Sequence, residues 1–336
     1  MSTSVGPITN LTAILCTARK EPGFQWMADS LTIALNRYGG SFELIVVDKM
    51  LWPNKVADPI MVTYLRNDVR RTQLDEAING RFPYRHVPPK PSPWQGPWRK
   101  TKRDWYDLQN ARNTGIALAR GDHIILFDDC SVLDGDFLIG HAYGAKHGVA
   151  VAGSFRSYNK AQIANGRVIE GELHDKGIDG RGDSPILCGG GWLYGLNCSF
   201  PLKAALDVNG YDEKFSGQGG SEDCFYGLQI VLAGYKIVYL PSCLLYQILE
   251  HHEAVCDIET WGNVQKVPQK EIMLDDGRNH FANEFLIQEH LKNPKLISHN
   301  DFILKDIREE ALKTGQFPTK RSLEIDWRDG QRLKDM

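Results

Sequence analysis

A short apolar run, an amphipathic stretch and a second apolar run follow one another near the N-terminus, and this order constrains the 336-residue chain more than any other feature. Residues 11–16 are apolar and break into Thr17-Ala18-Arg19-Lys20-Glu21-Pro22-Gly23, the pattern of a buried strand that ends in a polar loop. Residues 24–38 carry Trp26, Met27, Leu31, Ala34 and Leu35 at helical spacing and stop at Gly39-Gly40. Residues 43–47 form the second apolar run, which ends at Asp48. This is a βαβ unit, whose strands are parallel and whose crossover is right-handed. The expected fold class is α/β, a mostly parallel central sheet flanked by helices, with ligand groups at the carboxyl ends of the strands.

Further on, residues 51–103 are irregular apart from expected strands near 60–65 and 84–87. A helix is expected to open with Asp104 as its N-cap and to end before Gly121. The run 123–127 is the next buried strand, and it passes directly into Asp128-Asp129-Cys130. Helices are expected over 136–147, 201–208 and 222–233, and strands over 149–153 and 235–240. Residues 161–195, rich in glycine and charge, read as long loops around a site. From about residue 256 the texture becomes polar and helical, as in 280–292 and 301–313. The chain therefore divides into a main domain over 1–255, in two parts at 10–130 and 131–255, and a helical C-terminal extension over 256–336.

Composition narrows the function classes. A hydrophobic content of 42% and a charged content of 24% are globular values and argue against a disordered or coiled-coil chain. No stretch approaches the roughly eighteen apolar residues of a membrane span, and the start lacks the basic region of a secretory signal, so the expected compartment is the cytoplasm. Seven cysteines form no CxxC pair, which argues against zinc or thioredoxin-like chemistry. The net charge of −3 hides a basic window: residues 81–120 carry nine Lys and Arg against two Asp, with six of the 16 prolines and three of the eight tryptophans. Such a window is a candidate contact for an anionic ligand.

Three constellations can carry chemistry. Asp128-Asp129 places two carboxylates at the end of a buried strand, where their repulsion must be offset, and a divalent cation does this as well as a turn or helix cap does. Glu222-Asp223 follows the glycine-rich run 217–220 at a helix start, a position that suits division of labour between holding an acceptor hydroxyl and removing its proton, and also suits acids that stabilise their own helix dipole. Glu250-His251-His252 adds two imidazoles, of which at most one can face a shared metal from an extended segment.

Taken in order, these residues resemble the GT-A-fold glycosyltransferases, most closely the family 2 type. The matching pieces are Thr17-Ala18-Arg19, Val46-Val47-Asp48, the run 111–117, the run 121–129 ending in Asp128-Asp129, Gly210-Tyr211-Asp212-Glu213 with 219–223, and His251-His252. The resemblance implies that 10–130 binds the nucleotide-sugar and 131–255 serves the acceptor. It implies that Thr17, Arg19 and Asp48 hold the base and ribose, that Arg112 and Asn113 lie beside the nucleotide, and that Asp128-Asp129 is the DxD-type motif for Mn2+ or Mg2+. By the same resemblance Asp223 is the general base of an inverting reaction, Glu222 contacts the acceptor, and His252 or His251 is a third metal ligand. The chain departs from the family in having Cys130 where an acid is common, which admits a thiolate ligand and would favour manganese. Gln218 stands where some members have tryptophan, so Trp192 becomes the aromatic candidate for stacking on a sugar or base.

The expected activity is metal-dependent, inverting transfer from a nucleotide-sugar, UDP-linked, to a hydroxyl of a soluble acceptor: a glycan, a small molecule, a protein or a nucleic acid. The Trp- and Arg-rich run 94–105 raises an alternative, glycosylation of a hydroxylated base in DNA, which requires steeply salt-dependent duplex binding. A second alternative is a nucleotide-sugar-binding protein without catalysis, with Cys130 marking a degraded metal site.

Overall fold

The computed structural model describes residues 10–19, 21–51, 67–92, 94, 107–176, 185–215, 222–250, 292, 296–298, 300, 302–314 and 317. The βαβ start is present as β1 (Leu11–Thr17), α1 (Phe24–Tyr38) and β2 (Phe42–Asp48). Gly39 ends α1 in the left-handed region at φ 66°, returning its N–H to the carbonyl of Leu35. Then come α2 (Asn67–Ile78), β3 (Tyr84–Val87), α3 (Leu108–Leu118), β4 (His123–Asp128), β5 (Ser131–Leu133) and α4 (Phe137–His147). The second part holds β6 (Ala150–Ala164), β7 (Arg167–Asp175), β8 (Ile186–Cys188), β9 (Asn197–Pro201), α5 (Leu202–Asp207), α6 (Glu222–Leu232) and β10 (Ile237–Ile248). Helix α7 (Leu304–Thr314) closes the described chain.

One sheet organises these elements in the order β3-β2-β1-β4-β9-β6-β10-β5, with β7 paired to β6 and β8 to β10. Strands β3, β2, β1 and β4 are mutually parallel, β9 is antiparallel to β4, and β6 and β10 return to the first direction. Side-chain alternation splits the core into two layers. Ile14, Ile45, Val47, Ile124 and Leu126 face one layer with Ala111 of α3, Tyr226 of α6 and Leu304 and Ile307 of α7. Leu11, Leu15, Leu44, Val46 and Phe127 face the other with Met27 and Leu31 of α1, Leu74 of α2 and Phe137 of α4. Helices on both faces are what a parallel sheet requires.

The structure corrects several sequence expectations. The described parts of 161–195, residues 161–176 and 185–195, are largely strand and not long loops. Strands β6 and β7 form a hairpin, and β8 pairs antiparallel with β10. Register explains the hairpin's reach: Val151 and Ile125 both oppose Ser199, so residues 155–164 run on beyond the level of Asp128 at the sheet's carboxyl edge. Asp107 immediately precedes α3, but its carboxylate takes the Ser92 hydroxyl instead of capping the helix. Asp104 and the expected strand near 60–65 lie outside the described residues, as does 280–292 except Lys292. Strands expected over 149–153 and 235–240 are longer, and β5 and β9 were not anticipated.

Candidate active site

Parallel register brings the ends of three strands level. Thr17 lies opposite Asp48, and Cys16 opposite Asp128. Asp129, one residue past β4, accepts a hydrogen bond from the Thr17 hydroxyl at 2.6 Å and one from Arg19 Nε at 2.8 Å. It is 7% exposed. Thr17, Arg19 and Asp129 are thus brought together, whereas the resemblance grouped Thr17 and Arg19 with Asp48 and assigned Asp129 to the metal.

Asp128 is half-buried and has no ion-pair partner among the described residues. Burial first, then the neighbouring charges of Asp129 and Asp223, pushes its carboxyl up to about 6 against the opposing pull of Arg112 and Arg19. Negative charge is in excess here, and that chemistry fits a divalent cation held by Asp128 with Asp129. No third His, Cys, Asp or Glu joins them in a metal-binding group among the described residues. His251, His252 and Gln218 lie outside those residues. Cys130 is 0% exposed, and burial holds its thiol well above the usual range.

Asp48 is fully buried and already engaged. Arg70 Nε and Nη2 donate to it at 3.0 and 3.2 Å, His86 Nε2 lies 3.0 Å away, and the Met50 N–H donates at 2.9 Å. Its carboxyl is held below the usual range by Arg70 and His86, despite the upward push of burial. Arg70 also donates to the Arg19 carbonyl at 2.7 Å, which ties this cluster to the loop after β1. Arg70 and His86 were missed by sequence reasoning, since nothing local marks residues 22 and 38 positions away as partners of Asp48.

On the other side of the site, α6 begins with Glu222 and Asp223. Asp223 is oriented by two backbone N–H groups, from Gly195 at 3.1 Å and Cys224 at 2.8 Å. Glu222 pairs with Arg112 at 3.3 Å, and the Arg112 guanidinium lies over the Tyr211 ring at 4.8 Å. A methyl group on Gly195 would fall 1.9 Å from that guanidinium, so the absence of a side chain there makes room for it. Arg112 therefore stands between the Asp128 side and the Glu222-Asp223 side. Asn113 is 0% exposed, and its amide serves the protein: it donates to the Tyr211 carbonyl and Glu213 and accepts from the Tyr211 N–H. Its amide is thus engaged within the protein. Trp192 is half-buried and meets Tyr239 edge-on at 5.8 Å.

The basic window is partly consumed by internal pairs. Arg81 binds Asp29, Arg85 binds Glu43, Lys90 binds Glu213 in full burial, and Arg112 binds Glu222. Residues 95–106 lie outside the described residues. No helix among those described is long and apolar enough to cross a membrane.

No family model matches the chain, and no curated protein does. Among solved structures, S. aureus TarS 1–349 in complex with UDP-GlcNAc matches with a TM-score of 0.53 at 12% identity, over 91% of this chain and 73% of that one. A second structure of S. aureus TarS 1–349 gives 0.47 at 12% identity, over 71% and 60% of the two chains. GalNAc-T7 with UDP, GalNAc and Mn2+ gives 0.46 at 14% identity, over 72% and 44%, and neither of these two bears on the site. The chain thus spans less than two thirds of the length of some solved chains it resembles. Its architecture, a mostly parallel sheet with helices on both faces, is the GT-A fold.

Proposed function

We propose that the chain is a glycosyltransferase that moves a sugar from a UDP-linked donor to a hydroxyl of a soluble acceptor, with inversion at the anomeric carbon. The observation that carries this reading is the facing of two acidic sets across one edge of the sheet, Asp128-Asp129 against Glu222-Asp223, with Arg112 between them. The TarS likeness, with UDP-GlcNAc in that structure, supports the choice of donor class.

Asp128 and Asp129 would hold Mn2+ or Mg2+, which supplies neutralisation of the charge that grows on the departing diphosphate. Arg19 stands beside Asp129 and adds positive charge at the same edge. Asp223, its orientation fixed by the Gly195 and Cys224 N–H groups, takes the proton of the acceptor hydroxyl. The resulting oxygen nucleophile attacks the anomeric carbon from the face opposite the diphosphate. Glu222, steadied by Arg112, positions the acceptor.

The test is release of UDP from a panel of UDP-sugars with Mn2+, using glycans, small polyols and hydroxymethylated duplex DNA as acceptors. Turnover with at least one donor, lost in Asp223→Asn, is the expected result. Normal turnover in Asp223→Asn removes the assignment, and tight donor binding with neither transfer nor hydrolysis removes the enzyme.

A further inference from the structure

Between the start of α1 and the tip of the β6–β7 hairpin lies a cleft of about 440 Å3 that the transfer chemistry leaves unused. Its size falls within the roughly 300–1,000 Å3 of small-molecule sites. Two surfaces make it. Ala161 and Ile163, two residues apart on β6, share one face of the hairpin, and Asn165 of the turn continues their line. Opposite them, Gln25 and Asp29 lie one helical turn apart on α1, with Trp26 beside them and Glu21 in the preceding loop.

The walls are fixed by close contacts. Asn165 and Gly166 turn the hairpin through the left-handed region at φ 52° and 69°, and a methyl group on Gly166 would sit 2.5 Å from the backbone of Asp29 and Ser30. The tip is therefore docked on α1. A methyl group on Gly23 would fall 1.1 Å from the indole Nε1 of Trp26, so the half-buried indole lies over the Gly23 backbone at the cleft.

The lining selects a chemical class. Glu21 and Asp29 bring two carboxylates, with Arg81 on Asp29 at 2.5 Å and the Gln25 amide donating to it at 2.9 Å. Phosphate-like anions are disfavoured by such a rim. Hydroxyl donors are favoured by its carboxylate and amide oxygens, and an apolar ring face by the indole. The cleft also opens beside the transfer site: Glu21 follows Arg19 by two residues, about 7 Å of chain at most, and the hairpin rises from the same carboxyl edge.

We propose that this cleft is a subsite for a neutral saccharide unit of the acceptor, remote from the reacting hydroxyl. The acceptor role rests on the transferase reading above. The test uses the full chain labelled with 15N-tryptophan, the Trp26 indole signal being assigned with Trp26→Phe. Cellobiose, lactose and diacetylchitobiose are titrated in, with inorganic phosphate as the anionic probe. At least one disaccharide is expected to move the Trp26 signal saturably, with affinity weakened about five- to tenfold in Gln25→Ala and lost in Gly23→Ala. The thermal shift produced by UDP-GlcNAc with Mn2+ should be the same in wild type and both variants. No response to any of the three sugars, a response to phosphate instead, or responses unchanged in both variants would overturn the subsite. Disaccharide binding without any nucleotide-sugar binding or turnover removes the acceptor role and locates the failure in the transferase reading.

Discussion

Two polar clusters lie along one sheet of this protein and behave in opposite ways. At the carboxyl edge, burial first and then the neighbouring charges of Asp129 and Asp223 raise the Asp128 carboxyl to about 6, and the cluster carries charge that internal partners only partly offset. Deeper in the sheet, His123, Ser199, His141 and Asn197 form a neutral chain of hydrogen bonds. Asn197 Nδ2 donates to the carbonyls of Ser154 and Cys243 at 2.6 and 2.7 Å, so its Oδ1 accepts from His141 Nε2 at 3.1 Å. His141 Nδ1 then accepts the Ser199 hydroxyl, and Ser199 accepts from His123 Nε2, both at 2.9 Å. Apart from the orphan Nδ1 of His123, the chain satisfies itself. A completed neutral network specifies a core, whereas an incomplete charged one marks a place for a ligand.

The largest expected effect separates the clusters by activity. Asp223→Asn should cut turnover about 10²–10⁴-fold while leaving the thermal midpoint near that of the wild type, read by nucleotide release and calorimetry. Next, Asn197→Ala should cost about 3 kcal/mol or more, because two carbonyls and the His141 N–H lose their partner in the core, and denaturant unfolding measures this. Residual activity should then follow the folded fraction.

The pH dependence of stability sharpens the contrast through its sign. Burial lowers both His123 and His141 to about 3, below the ordinary value of 6.5. Their contribution is thus present above pH 6.5 and lost as the pH falls towards 3. Asp128 runs the other way: its folded value of about 6 exceeds the ordinary 3.8, so folding takes up a proton between these values. Stability from this group declines as the pH rises from 4 to 6. Chemical denaturation across pH 4–7 should show the His-linked slope flattened in His141→Gln, and the opposing slope removed in Asp128→Asn. The smallest effect is expected from Gly195→Ala, whose added methyl displaces the Arg112 guanidinium. A several-fold loss of turnover with little change in stability is the expected reading.

The difference between the clusters also explains what was legible in the sequence. The βαβ start and the acids after β4 could be read because apolar runs fix the strands and topology fixes which ends carry ligands. The Arg70–Asp48–His86 cluster could not, since its members meet only through the parallel register of β2 and β3 and the return of α2. The β6–β7 hairpin was read as loop because β7 is exposed along nearly its whole length and shows no apolar alternation. Strand β9, Asn-Cys-Ser-Phe-Pro, escapes for a different reason: it is buried at four of its five positions, but it is short, ends in proline and turns Asn197 and Ser199 into the core hydrogen-bond chain.

The most direct test of the division between a charged working edge and a neutral structural core pairs two variants in two assays. Asp128→Asn and Asn197→Ala are compared for Mn2+-dependent UDP release from a UDP-sugar and for unfolding free energy at pH 7. The expected result is a crossed pattern, with Asp128→Asn inactive but at least as stable as the wild type, and Asn197→Ala destabilised but active in proportion to its folded fraction. An active Asp128→Asn, or an Asn197→Ala protein that is fully stable, would contradict it.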